Sequence, residues 1–270
     1  MPTENDSIWE GFESVFFRDA GAESLSETEP SAGVRSTIAD QRQILPILFL
    51  IDVSGSMRGQ RIAQVNYALE NIFKELRRRD DMQSVIKIGI MEFADEGRWV
   101  TPQPVLLDDF VFTQIEARQW GTLYSKAFDA LNDKLRREGF MDPKLGEYFA
   151  PLILLVTDGE PLDENEYPAA LARLQSNGWF RKSIKYAIAA GDEAKKPEVG
   201  RILSEFTGVR ENVRFADEGE ALCNLIEFIA IRASEVQTSL LSAGSQTTKA
   251  QESIFADTDS SLFSSMFETD

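Results

Sequence analysis

Pro46-Ile-Leu-Phe-Leu-Ile-Asp-Val-Ser-Gly-Ser56 starts apolar and turns polar at one residue, Asp52. Residues 47–51 show no alternation, so they read as a strand buried on both faces. Ser54 and Ser56 follow at two-residue steps, with Gly55 between them as the expected tight turn. Pro151-Leu-Ile-Leu-Leu-Val156 repeats this grammar and ends in Thr157-Asp158-Gly159. Two buried strands thus each deliver an aspartate to a polar turn.

The segments around them alternate in type. A helix is expected over 60–78, where Ile62, Val65, Leu69, Ile72, Phe73 and Leu76 keep the three-four spacing of one buried face. Arg77, Arg78 and Arg79 close it as a solvated helix end favoured by the dipole. A strand is expected over 85–93, a turn at 95–97, and an edge strand over 98–101 stopped by Pro102 and Pro104. Loop then runs to Gly121-Thr122. Further helices are expected over 123–138, burying Leu123, Phe128, Leu131 and Leu135, and over 163–177, 196–207 and 218–232. Strands are expected over 183–190 and 212–215. Asp163, Glu164 and Glu166 read as acids favouring the N-terminus of the 163–177 helix, and Glu160 as a first-turn acid. The alternation implies an α/β fold: a doubly wound, mostly parallel sheet with helices on both faces. Such sheets bind ligands outside the carboxyl ends of their strands.

Composition narrows the chemistry. The 270 residues carry a formal charge of −17 and contain no histidine. A negative chain lacks the basic patches that nucleic-acid backbones require. Without histidine, serine–histidine, cysteine–histidine and histidine–zinc chemistries are excluded. The lone Cys223, set among Leu222, Leu225 and Ile226, reads as a small core residue. No apolar run reaches the roughly 20 residues of a membrane span, and no signal peptide is recognisable, so a cytoplasmic location is expected.

Charge also divides the chain. Residues 1–42 and 234–270 hold 11 of the 17 net negative charges. They read as acidic arms flanking one domain at 43–233. The first arm contains an amphipathic segment at 7–17 with Ile8, Trp9, Phe12 and Phe16. The second sets Ile254-Phe255, Leu262-Phe263 and Met266-Phe267 among acids and serines. Both arms are expected to serve as docking peptides.

Three turns remain: Asp52/Ser54/Ser56, Thr122 and Asp158. Two carboxylates and three hydroxyls, with no nitrogen or sulfur, suit Mg²⁺ or Mn²⁺. Hydroxyls are neutral ligands, so an ion held largely by them would accept a carboxylate from outside.

Asp52-Val-Ser54-Gly-Ser56, Gly121-Thr122-Leu123 and Thr157-Asp158-Gly159 together resemble the metal-ion-dependent adhesion site of von Willebrand factor type A domains. The resemblance covers 43–233. It implies that Ser54, Ser56 and Thr122 ligate the metal, that Asp52 and Asp158 bind directly or through water, and that a partner's Glu or Asp completes the shell. The family often has two glycines before the threonine; here Trp120 replaces the first. Leu45-Pro46, Asp52-Val-Ser-Gly-Ser-Met57-Arg58-Gly59 and Thr157-Asp-Gly-Glu-Pro161 are further similar to bacterial TerY-like proteins of tellurite-resistance and stress systems. That resemblance implies kinase-like or phosphatase-like partners.

The expected function is therefore a non-enzymatic adaptor that recognises a partner's acidic residue through a bound divalent metal. The alternative is a subunit coupling to a separate ring ATPase, since this chain has no phosphate-binding Gly-rich loop of its own. Last comes a Mg²⁺-dependent aspartyl phosphatase, which needs a second aspartate where this chain has Ser54.

Overall fold

Burial on both faces explains the two apolar runs. In the computed structural model, which describes residues 43–78, 84–118, 121–191 and 196–216, strands β1 (Ile44–Asp52) and β5 (Leu152–Thr157) are buried at every position. Leu45, Ile47, Phe49 and Ile51 of β1 enter one apolar layer, and Leu48 and Leu50 enter the other. Successive side chains of a strand point to opposite faces, so a strand between two layers has no polar side to show.

Among the described residues the sheet has seven strands: β1, β2 (Val85–Phe93), β3 (Gly97–Trp99), β4 (Val105–Leu106), β5, β6 (Ile184–Ala190) and β7 (Val213–Ala216). Their order is β3-β2-β1-β5-β6-β7, with β4 also on β2. All pairings are parallel except those of β3 and β4 to β2. Helix α1 (Gln60–Arg78) covers one face. Helices α2 (Tyr124–Lys134), α3 (Tyr167–Ser176), α4 (Gly178–Lys182) and α5 (Pro197–Thr207) pack on the other. The expected doubly wound architecture is present. Among the described residues no helix is long and apolar enough to cross a membrane.

Several local expectations need correction. The tight turn expected at Gly55 is present as a 3-10 turn (Gly55–Met57), and a left-handed residue not expected from the sequence, Gly59 with φ +78°, follows it. The edge strand expected over 98–101 spans Gly97–Trp99 and ends before the prolines, but the stretch expected as loop after them contains the short strand β4. Helix α2 stops at Lys134, after which the chain turns back and sets Phe140 edge-on against Trp99 at 4.6 Å. Leu123 is only half-buried; Tyr124 takes the core position. Helix α3 starts four residues late, with Pro168 in its first turn, where proline is tolerated. The amphipathic segment 7–17, the 218–232 helix with Cys223, Arg79, Trp120 and the 234–270 arm lie outside the described residues.

An irregular segment, residues 107–118, straps across the α1 side of the sheet, with Leu107, Phe110 and Ile115 buried. Phe73 of α1 meets Phe110 edge-on at 4.9 Å. Arg77, expected to be a solvated end, donates to the carbonyls of Leu107 and Phe110. Asn66 acts as a surrogate strand edge: its amide donates to Ile115 O (2.9 Å) and accepts from Ile115 N (2.8 Å). These bonds satisfy backbone groups that the strap's irregular path leaves without sheet partners.

Asn66→Leu would strand both backbone groups of Ile115 in an apolar setting. The unfolding free energy should fall by about 2–4 kcal/mol in denaturant melts, with faster amide exchange at Ile115 than in β1. Unchanged exchange there would show that Asn66 does not anchor the strap.

Candidate metal centre

Asp52 ends β1 and Thr157 ends its parallel neighbour β5, and the register Ile51↔Val156 sets the two side by side. Thr157 Oγ1 donates to Asp52 Oδ2 at 2.7 Å. Thr122 Oγ1 donates to the same oxygen at 3.1 Å, and Ser54 N–H donates to Oδ1 at 2.8 Å. Asp52 is fully buried. Burial pushes its carboxyl up to about 6, against the lowering effect of the Thr157 and Ser54 hydrogen bonds and with a smaller push from Asp158.

The turn after β1 is anchored by Met57, which is fully buried while Ser56 stays exposed. Ser54 Oγ and Ser56 Oγ lie 3.0 Å apart, and Ser56 Oγ donates to Asp158 Oδ1 at 2.7 Å. Asp158, also fully buried, takes an ion pair from Arg61 on its other oxygen at 2.7 Å. All five expected residues therefore meet at one rim, at the carboxyl ends of β1 and β5.

Residues outside the five expected ligands hold this arrangement. Thr157 bridges Asp52 and Tyr124, whose hydroxyl lies 3.1 Å from Thr157 Oγ1 and donates to Gly159 O at 2.9 Å. The Tyr124 phenol is pushed well above its ordinary value, by burial first and the Asp52 carboxylate second. Asp163 does favour a helix N-terminus, but not that of its own helix. Its carboxylate accepts from Tyr124 N (3.1 Å) and Ser125 N (2.7 Å), capping α2 directly after Thr122. Glu160 precedes α3 altogether and pairs with Lys196 at 2.6 Å. Buried Glu92 of β2 accepts from Arg98 and Arg118, each at 2.6 Å, while Arg118 N–H donates to Val53 O. That pairing ties the end of the strap to the turn that carries Ser54.

The donor set fits a hard cation. Among the described residues no group of three His, Cys, Asp or Glu gathers, so a site here depends on hydroxyls. The donor–donor separations along the rim are 2.7, 3.0 and 3.1 Å. Adjacent oxygens of an octahedral Mg²⁺ shell lie about 2.9 Å apart, from metal–oxygen distances of about 2.0–2.1 Å.

Residues 47–160 match the von Willebrand factor type A domain family, and the sheet with its helices has the architecture of such domains. Inter-alpha-trypsin inhibitor heavy chain H4 of Bos taurus is 25% identical over 224 residues, 78% of this chain and 23% of that protein. The pilus adhesin SpaC of Lactobacillus rhamnosus GG, in an open conformation, superposes with a TM-score of 0.55 at 11% identity, over 71% of this chain and 30% of that one. Proximal thread matrix protein 1 of the mussel byssus, with a zinc-occupied metal-ion-dependent adhesion site, gives 0.52 at 16%, over 73% and 47%. The two structures show the shared fold. This chain spans 23% of the length of the curated relative and less than half of either structure.

The raised carboxyl of Asp52 makes stability depend on pH. Between the unfolded value of 3.8 and the folded value of about 6, the folded state holds the extra proton. Stability from this group is therefore fully present below pH 4 and lost as pH rises through 6. In EDTA, wild type should lose on the order of 3 kcal/mol more than Asp52→Asn between pH 4 and pH 7. Parallel pH profiles for the two proteins in denaturant melts would contradict this.

Proposed function

We propose that this chain is a non-enzymatic binding module whose rim holds a divalent cation, Mg²⁺ or Mn²⁺, and through it grips an acidic side chain of a partner protein. One observation carries the reading. Five oxygen-bearing side chains from three separate turns, two of them fully buried carboxylates, converge at one rim, with hydrogen-bonded neighbours 2.7–3.1 Å apart, spacings that an octahedral shell also accepts. Ser54, Ser56 and Thr122 would bind the ion by their hydroxyls, with Asp52 and Asp158 alongside. The zinc-occupied adhesion site in the byssus protein supports metal at a site on this fold. An ion held mostly by neutral hydroxyls keeps Lewis acidity for one more oxygen, and a carboxylate is the strongest such donor on a protein surface.

The geometry favours binding over phosphoryl transfer. Asp52 is fully buried with both oxygens accepting hydrogen bonds, and Ser54 stands where phosphoryl transfer would need a second aspartate. The TerY-like motif resemblance makes kinase-like or phosphatase-like proteins the first partners to test. A ring ATPase carried on another chain is the alternative, and the acidic arms would dock further proteins.

Mg²⁺ or Mn²⁺ should raise the melting temperature of wild type at pH 7.5, and EDTA should reverse the gain. The gain should shrink at pH 5, where protons compete about tenfold for the buried Asp52. Asp52→Ala and Thr122→Ala should remove the metal-dependent gain and EDTA-sensitive partner capture while keeping the far-UV circular dichroism of the fold. Capture by both variants at wild-type levels would place the interface elsewhere.

A further inference from the structure

A cation site of this kind needs its oxygens; it does not need a guanidinium among them. Arg61, in the first turn of α1, nevertheless sits in the rim. Its Nη1 lies 2.7 Å from Asp158 Oδ2 and donates to Ser56 O at 3.2 Å. The side chain is 18% exposed, and Asp158 is fully buried.

Three elements build its position. Arg61 projects from α1, the turn after β1 supplies the Ser56 carbonyl, and the end of β6 supplies a flat surface. That surface is Gly191, with φ +80°, where a Cβ would fall 2.7 Å from Nη2 and 2.9 Å from Cζ. The backbone conformation calls for glycine there, and the absence of a side chain lets the guanidinium lie directly on the strand end. The arginine is thus held on three sides, by Asp158, by the Ser56 carbonyl and by the Gly191 surface.

We infer that Arg61 is a tethered counter-ion of the rim: it neutralises Asp158 when no metal is bound and lowers the affinity of the rim for divalent cations. The inference rests on the proposed metal site. Asp52 and Asp158 alone would offer a charge of −2, whereas with Arg61 the rim offers −1. Removing the guanidinium acts twice in one direction. It leaves Asp158 buried without its cation, which raises the free energy of the metal-free protein. It also removes a fixed positive charge within a few ångströms of the incoming ion. Arg61 thus makes the metal conditional: the rim stays folded without it and reverses sign, from −1 to +1, when the ion binds. A net positive rim is what a partner carboxylate requires.

The test titrates full-length wild type, Arg61→Gln, Arg61→Lys and Asp158→Asn with Mn²⁺ by calorimetry after EDTA treatment, alongside thermal melts. Arg61→Gln should bind Mn²⁺ roughly tenfold or more tightly than wild type, and Arg61→Lys, which keeps the charge, within about threefold of it. In EDTA, Arg61→Gln should melt below wild type, and Mn²⁺ should close the gap. Should Arg61→Gln fold only with metal, that agrees with the inference, and its affinity is read from the folded complex by EDTA competition. Equal or weaker Mn²⁺ binding by Arg61→Gln overturns the inference, as does Arg61→Lys behaving like Arg61→Gln. If wild type shows no saturable Mn²⁺ binding lost in Asp158→Asn, the metal reading fails and takes the inference with it. If wild type binds and Arg61→Gln is unchanged, only the role of Arg61 fails.

Discussion

The hydrogen bond from Thr157 to Asp52 joins the ends of two parallel strands, and the rim is built outward from it. Asp52 carries a carboxylate to a point without solvent contact, where an ion is costly to hold. Donors brought from three places offset that cost: the Ser54 amide in the following turn, the Thr157 hydroxyl across the strand pair and the Thr122 hydroxyl ahead of α2. The offset is incomplete, as the raised carboxyl shows. A buried charge kept against its own solvation cost is weak support for stability and better explained by what it can bind.

Holding Thr122 in place takes most of the remaining architecture. Its loop reaches the rim through the strap at 107–118, which has almost no regular backbone pairing. The strap is tied down by side chains: Asn66 at Ile115, Arg77 at Leu107 and Phe110, and Glu92 through Arg118. Beyond Thr122, Asp163 caps α2 from a different loop. The loops after β1 and β5 and the loop ahead of α2 are thereby coupled to one another as well as to the sheet. Donor positions set this way are preorganised before a ligand arrives.

The sequence shows the parts of this site that obey short-range rules. The apolar runs at 47–51 and 152–156 announce buried strands, and a polar residue at the end of such a strand announces a rim. Asp52, Ser54, Ser56, Thr122 and Asp158 are legible because each sits at such an end or opens a helix. The supporting residues are not, because their partners lie far along the chain. Asp163 looks like a cap for α3 until the fold shows it closing α2, 38 residues earlier. Glu92 reads as one polar position in a strand, and nothing nearby marks Arg118 as its counter-ion. Nothing in the sequence singles out Arg61; only the fold brings Asp158 to it. The helix boundaries at 134 and 167 escape the sequence for a related reason, since tertiary contacts of Phe140 and Asp163 override local propensity there.

These long-range pairings share a feature with functional weight. The buried acids of the rim region are satisfied differently: hydroxyls and an amide for Asp52, a guanidinium and a hydroxyl for Asp158, two guanidinia for Glu92 and two helix amides for Asp163. Glu92 and Asp163 are matched by cations or by a helix terminus, and their work is structural. Asp52 is the acid with neither a cation nor a helix terminus against it, so it is the one whose charge remains to be compensated. Asp158 lies between these cases, sharing its oxygens between Arg61 and Ser56. The uncompensated charge sits beside three hydroxyls at the carboxyl ends of the central strands. A cation placed there lowers the cost of burying Asp52 and leaves the supporting pairings of Glu92 and Asp163 intact. Electrostatics therefore selects the same few ångströms of the molecule that the oxygen geometry selects, by an argument that does not use that geometry.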